Sequence, residues 1–258
     1  MSASGSEIRG KASNASDFSS KMTITKNANG IYARNELSRR ERVGTQMPEN
    51  CRASRSIARK IKLLLDVVVA SCLLIVVMPV FLLAWVMVSL DGGPVLYGHT
   101  RIGRNGVPFR CLKFRSMVPN ADAVLQQLLD TDADCANEWN ATRKLRHDPR
   151  ITTIGRFLRR TSLDEIPQLL NVIKGDMSLV GPRPVVEGEL QYYGQDLCYY
   201  EAVRPGITGL WQVSGRSDTS YVERVNLDSY YVRNWSLALD FSILCRTIPA
   251  VMMQKGAR

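Results

Sequence analysis

The chain of 258 residues carries 34 Lys and Arg against 24 Asp and Glu, a formal net charge of +10. Such an excess suits an anionic partner: nucleic acid, acidic lipid or a phosphorylated substrate. The two histidines, His99 and His147, lie far apart in sequence and the six cysteines form no close pair, which disfavours a histidine metal site, a Ser/His/Asp triad, a zinc knuckle and a disulfide framework.

Residues 1–55 are rich in Ser, Asn, Gly, Lys and Arg and poor in large apolar side chains. A segment of that kind buries too little surface to offset its ordering entropy, so a disordered basic tail is expected. It has no apolar stretch near its start and does not read as a secretory signal.

Residues 56–92 form the next unit. No residue from Val67 to Leu90 is charged, a run longer than the roughly 20 residues that cross a bilayer as a helix. Both flanks are basic: Arg52, Arg55, Arg59, Lys60 and Lys62 before it, and Arg101, Arg104, Arg110, Lys113 and Arg115 after it. Positive flanks stay cytoplasmic, so a straight span would place one of them on the wrong side. Pro79 sits in the apolar run, where it removes a helix hydrogen bond. A bend at Met78-Pro79 turns the segment into a re-entrant helix-hairpin that enters and leaves by one face. Lys62 and Asp66, four residues apart, are expected to pair on one helix face.

Beyond it, two β-like runs flank Arg104-Asn105-Gly106, and Asn-Gly marks a hairpin turn. Asn120 is placed to cap a helix whose apolar stripe is Val124, Leu125, Leu128 and Leu129. Asp130, Asp132 and Asp134 can be read as a DxD metal motif or as a wet acidic surface. A basic stretch from Arg143 to Arg160 follows, with a turn at His147-Asp148-Pro149; it reads as a headgroup-binding face or as a phosphate clamp. Near the C-terminus, Phe241, Leu244, Ile248 and Val251 share one helix face and Arg246, Thr247, Gln254 and Lys255 the other. That pattern predicts an interfacial helix interrupted at Pro249, with a core-facing soluble helix as the competing reading.

The stretch "RRTSLDEIPQLLN", 159–171, carries adjacent acids, Asp164 and Glu165. Ser162 to Glu165 matches a capping box. Pro167 instead favours a helix that starts at Asp164, because the third helical position needs no amide hydrogen. The positive helix end and the neighbouring Arg159 and Arg160 then favour ionised carboxylates. An ionised carboxylate is a candidate nucleophile toward a phosphate, provided cations neutralise the charge. Two Gly/Pro-punctuated loops downstream carry Arg183, Arg204 and Arg216, and the second, with Arg204 and Arg216, is a candidate nucleotide- or substrate-recognising loop. Trp211, in the second, reads either as a uracil-stacking surface or as a core residue.

Several stretches together resemble the bacterial sugar transferases, the monotopic phosphoglycosyl transferases. They are "KFRSM" at 113–117, "SLDEIPQLLNVIKGDMSLVGPRP" at 162–184, "VRPGITGLWQVSGR" at 203–216 and "DSYYVRNWSLALD" at 228–240. The apolar "KLLLDVVVASCLLIVVMP" resembles the family's re-entrant helix, and the resemblance covers about 58–255. It implies an α+β, mainly helical fold. A re-entrant membrane helix-hairpin, interfacial amphipathic helices and a small β-hairpin surround one cytosolic catalytic domain, 93–258. It also implies transfer of a sugar 1-phosphate, galactose or glucose, from a UDP-sugar to undecaprenyl phosphate with release of UMP. This is the first membrane step of exopolysaccharide synthesis in the short members of the family.

By the same resemblance Asp164 is the nucleophile, Glu165 holds Mg²⁺, and Arg115, Arg159 and Arg183 match phosphate-binding positions. The implied setting is the bacterial inner membrane with the site facing the cytoplasm. Membrane lipids are further partners and downstream glycosyltransferases possible ones. Met78 stands where some relatives have Ser before the proline. Two other classes compete with this reading: a non-catalytic basic membrane scaffold, and a conventional glycosyltransferase that releases UDP. A binder of nucleic acid has no use for an acid pair that repels the phosphate backbone, so no nucleic-acid partner is expected.

Overall fold

The uncharged run lies within one long helix, α1, Glu49–Leu90, which starts ahead of residue 56, where the sequence places the membrane segment. The computed structural model describes residues 49–142, 145–215 and 219–252. The helical secondary structure is continuous through Pro79, with no loop at Met78-Pro79 where the sequence places a bend. One lost amide bond is offset there by packing on both sides. Leu74 and Val77 pack on the central core, and Phe81, Ala84 and Val88 on a second cluster. With Asp66 and Ala70 these form a stripe at three- and four-residue spacing, one helix face turned to the domain. The other faces expose Leu64, Val68, Ile75, Val76, Leu83 and Val86. Among the described residues, Ile57–Leu90 is the one segment long and apolar enough to cross a membrane.

Strands β1 (Leu96–Ile102) and β2 (Pro108–Phe114) pair antiparallel, from Leu96 opposite Phe114 to Ile102 opposite Pro108. Asn105 and Gly106 take φ of 59° and 73° at the tip, as the Asn-Gly signal requires. Helices α2 (Ala121–Thr131) and α3 (Ala133–Thr142) follow. Asn120 stands at the start of α2, but its side chain makes no capping bond. Asp132 accepts from the Cys135 amide at 3.0 Å and Asp130 from Gln126 at 2.9 Å. The DxD acids are thus helix-end residues. Arg150, from the basic stretch, forks onto Asp148 at 2.8 and 2.7 Å and is a structural ion pair.

Helix α4 (Thr153–Thr161) leads through a 3-10 turn, Leu163–Glu165, into α5 (Gln168–Lys174). Strand β3 (Ser178–Val180) pairs parallel with β4 (Gly206–Thr208). Between them lie a 3-10 stretch, Glu187–Asp196, and α6 (Leu197–Glu201). Helices α7 (Leu210–Val213), α8 (Tyr221–Arg233) and α9 (Leu237–Met252) complete the chain.

The main core gathers Ala70 of α1, Cys111 of β2, Val172 of α5, Met177, Tyr231 of α8 and Ile243 of α9. Buried Asn171 clips α5 to β2: it accepts from the Leu112 amide at 2.9 Å and donates to the Arg110 carbonyl at 2.8 Å. The fold is α+β and mainly helical, with the small hairpin in its expected place. Helix α9 departs from its expected faces. Ile243 is fully buried, Leu244 packs on the core and Thr247 meets Thr208 at 2.8 Å, whereas Phe241 and Ile248 are exposed. The helix also runs through Pro249 without interruption. Its polar Thr247 turns inward because the hydroxyl finds a partner there.

Candidate active site

The acid pair is held from both sides. Thr152 caps α4, its hydroxyl accepting from the Gly155 amide at 2.9 Å. Gly155 lies so close to Ser116 that a Cβ would strike the Ser116 carbonyl. Leu158 of α4 is buried with Phe114, Ala84 and Val88. Ser162 then takes a left-handed conformation (φ 57°) that ends α4 and throws the chain into the Leu163–Glu165 turn.

Neither capping scheme drawn from the sequence holds. Ser162 makes no side-chain cap, and α5 begins at Gln168 with Pro167 at its cap position. Proline needs no amide partner there and its fixed φ suits a helix start. Asp164 and Glu165 therefore occupy a joint between the C-terminal end of one helix and the N-terminal end of the next, where the two dipoles oppose each other.

Asp164 is buried and Glu165 half-buried. Lys113, from the end of β2, reaches both: Nζ lies 2.6 Å from Glu165 Oε1 and 3.6 Å from Asp164 Oδ2. Burial pushes the Asp164 carboxyl above the usual aspartate range, and Glu165 adds to that push; Lys113 and Arg159 oppose it without cancelling it. The expectation that its surroundings favour the ionised form is thus reversed, because desolvation outweighs the nearby cations. Burial pulls the Lys113 ammonium down, but Glu165 and Asp164 more than compensate and its pKa rises.

Arg159 acts on Asp164 from the last turn of α4, and its Nε donates to Ser116 Oγ at 2.8 Å. The hairpin supplies the adjoining wall. In the strand register Tyr97 faces Lys113, His99 faces Cys111 and Arg101 faces Phe109. The buried Cys111 thiol feels Lys113, Arg101, Glu165 and Arg183. That places the acid pair and Arg183 on either side of one hairpin face. Burial and Arg101 lower the pKa of His99, which keeps its imidazole neutral.

At the far end of this wall Arg101 and Arg183 share Glu189, at 3.5 and 3.7 Å. Behind Arg183, buried Asp228 accepts from Tyr193 at 2.8 Å. Burial pushes the Asp228 carboxyl up to about 7, against the pull of Tyr193 and Arg183. The carboxylate pair thus lies toward one end of the hairpin and the two-arginine cluster toward the other, with His99 between them and Cys111 and Phe109 packed into the core.

A match to the bacterial sugar transferase family spans residues 57–254. The chain belongs to this family. It is 51% identical over 212 residues to the exopolysaccharide production protein ExoY of Rhizobium meliloti, covering 82% of this chain and 94% of that protein. It is 52% identical over 209 residues to the undecaprenyl-phosphate galactose phosphotransferase of Salmonella typhimurium, covering 81% and 44%. It is 40% identical over 205 residues to the UDP-glucose:undecaprenyl-phosphate glucose-1-phosphate transferase of Caulobacter vibrioides, covering 76% and 71%. The chain thus spans nearly all of the ExoY relative and under half of the Salmonella one.

For this sugar transferase, the sequence-derived residues divide. Asp164, Glu165 and Arg159 come together, and Arg183 borders the same wall. Arg115 is buried, and its Nη2 donates to the Val88 carbonyl of α1 at 3.0 Å. Its Nη1 is buried without a partner, so it ties the strand to the membrane helix with a donor to spare. Arg204 lies elsewhere, bonded to the Gly175 carbonyl at 2.7 Å. Arg216 is outside the described residues. Trp211 is buried under the Arg224 guanidinium at 4.8 Å, the packed alternative of its two readings. Lys62 and Asp66 are 3.8 Å apart as expected, but Lys62 bonds Asp240 more closely, at 2.6 Å.

Lys113, beside the acid pair, and His99 and Arg101, along the same hairpin, carry no role in the sequence analysis, although strand alternation about the Asn-Gly turn is signal enough to align them. Nothing in the sequence pointed to Glu189.

Among the described residues no group of three or more metal-ligating side chains comes together. Mg²⁺ typically takes one or two carboxylates and completes its shell with phosphate oxygens and water, and half-exposed Glu165 is a carboxylate of that kind.

Proposed function

We propose that this sugar transferase moves a sugar 1-phosphate, galactose or glucose, from a UDP-sugar to undecaprenyl phosphate, releasing UMP. The observation that carries the reading is the buried Asp164 beside half-exposed Glu165, with Lys113 between them. The names of the Salmonella and Caulobacter relatives supply the substrate classes.

The Asp164 carboxylate attacks the sugar-bearing phosphorus. A carboxylate–phosphorus bond forms as the diphosphate P–O bond breaks, and UMP leaves with the electron pair. A phosphate oxygen of undecaprenyl phosphate then attacks the same phosphorus and expels the carboxylate, giving a lipid-linked diphosphosugar. Burial raises the nucleophilicity of Asp164 by removing its water, at the cost of a higher pKa. Lys113 limits that cost and neutralises charge at the reacting phosphate, together with Arg159. Arg183 and Arg101 hold the far phosphate of the donor. Mg²⁺ bound through Glu165 supplies further neutralisation of the diphosphate.

In this reading α1 is a re-entrant anchor in the bacterial inner membrane, and the site faces the cytoplasm. Support comes from its two ends. Asp66 bonds Ser178 at 2.7 Å and Lys62 bonds Asp240, whereas near the other end Phe81 lies 5.0 Å from Phe114, ring to ring. Both ends thus hold the same folded domain. A straight span would carry one of them through about 30 Å of hydrocarbon.

The test is nucleotide release from the full chain with Mg²⁺, undecaprenyl phosphate and a panel of UDP-sugars. UMP formation with UDP-galactose or UDP-glucose is the expected result. Release of UDP would mark a conventional glycosyltransferase, and release of neither a scaffold.

A further inference from the structure

Away from the acid pair, a cleft opens where the N-terminal third of α1 meets the hairpin tip, β3 and the end of α8. Arg59, Lys62, Arg104 and Arg204 bring cations to it, and Val203, Val232 and Trp235 form its apolar side. The acids within reach are engaged. Asp66 accepts from Ser178 Oγ at 2.7 Å and from the Leu179 amide at 3.4 Å. Asp240 accepts from Lys62 at 2.6 Å, Tyr231 at 2.7 Å and Trp235 at 3.0 Å. Lys62 is therefore neutralised in place.

Arg104 and Arg204 are not matched in this way. Arg204 donates its Nε to the Gly175 carbonyl, and the Nε of Arg104 is buried with no hydrogen-bond partner. Burial lowers the Arg204 pKa, and the Arg104 charge lowers it further, ahead of the opposing pull of Asp66 and Asp176. An unsatisfied buried donor is destabilising, and like charges facing each other add to that. An anion relieves both. Guanidinium forks suit phosphate in particular, with paired N–H donors matching paired oxygens.

The surroundings decide which phosphate. Next to Lys62, α1 exposes Ile57, Ile61, Leu64 and Leu65; next to Asp240, α9 exposes Leu237 and Phe241. A basic pocket bordered by exposed apolar helix faces fits an anion that carries hydrocarbon chains. Free phosphate has nothing to place against those side chains. Neither Asp164 nor Glu165 lines this cleft.

We propose that this cleft binds the phosphate headgroup of an anionic membrane phospholipid, with Arg104 and Arg204 as its ligands. The bound lipid ties the hairpin tip and the loop after α6 to the leaflet beside α1, and so fixes the domain's orientation on the membrane. The site is independent of the reaction proposed above.

Native mass spectrometry of the detergent-purified full chain tests it, with phosphatidylglycerol, phosphatidylcholine, undecaprenyl phosphate or inorganic phosphate added. The wild type should retain one phosphatidylglycerol at least about tenfold more tightly than phosphatidylcholine. Arg104→Gln should erase that preference, and Arg104→Lys should keep part of it. In lipid-free detergent Arg104→Gln should melt no lower than the wild type, since it removes an unpartnered charge. A clear fall in melting temperature would make Arg104 a structural residue and overturn the assignment. Equal retention of the two phospholipids, or an unchanged preference in Arg104→Gln, would also overturn it. Displacement by inorganic phosphate would show a plain anion site, and one-for-one displacement by undecaprenyl phosphate an acceptor site; either result contradicts the proposal.

Discussion

Asp164 combines two demands that pull in opposite directions. It must be ionised to attack phosphorus, yet it is buried, and its pKa is raised. Activity therefore disappears on acidification through a pKa above the ordinary aspartate value, earlier than for an exposed aspartate. Lys113 is the main opposing charge, so Lys113→Met should move the acid limb of the pH–rate profile to still higher pH. The rate at neutral pH should fall by about 10²-fold or more. An acid limb that moves down would contradict this electrostatic account. The linkage to stability has a definite sign. A carboxyl whose folded pKa is raised costs stability above that pKa, and the cost is relieved as pH falls through it. Asp164→Asn should thus be inactive while melting no lower than the wild type at neutral pH. The acid pair was legible in the sequence, but the sign of its pKa shift was not. The adjacent arginines are visible in the sequence, whereas burial depends on Phe114, Leu158 and α1 closing over the turn, contacts distant along the chain.

At the scale of elements, the site depends on how closely α4 approaches the end of β2. Gly155 allows it, and Ser116 then receives Arg159 Nε. Gly155→Ala should force the helix outward, destabilise the protein by about 1–3 kcal/mol and raise the KM for the UDP-sugar. Denaturant unfolding and steady-state kinetics measure the two effects, and an unchanged stability would show that the approach is not needed. The hairpin was readable because Asn-Gly dictates its turn and alternation its faces. The α4–α5 joint was not. Ser162 to Glu165 spells a capping signature, but the left-handed Ser162 is set by the end of α4 and by Pro167, so the local signal loses to its context. Helix α9 misled for a related reason: a hydroxyl such as Thr247 reads as surface until Thr208, far away in sequence, supplies its partner.

For the whole molecule, the membrane segment was legible by length and charge alone, while its path was not. Pro79 signals a bend; the helical secondary structure continues across it, with core packing on both sides. Single cysteines at Ile57 and Asp91, one at each end of the apolar run, distinguish the topologies in a background without native cysteines. A re-entrant anchor predicts that a membrane-impermeant thiol reagent labels both in inverted vesicles and neither in intact cells. Labelling of either in intact cells would mean that α1 spans the bilayer.

The central claim, that Asp164 carries the phosphosugar, is tested most directly without the acceptor lipid. The purified chain is mixed with UDP-galactose or UDP-glucose and Mg²⁺, quenched in acid and analysed by intact-protein and peptide mass spectrometry. The account predicts one hexose phosphate per chain on the peptide containing Asp164, a matching burst of UMP, and neither in Asp164→Asn. A wild-type chain that turns over when undecaprenyl phosphate is added, yet gives no adduct and no burst without it, would contradict the account and leave Asp164 without a nucleophilic role.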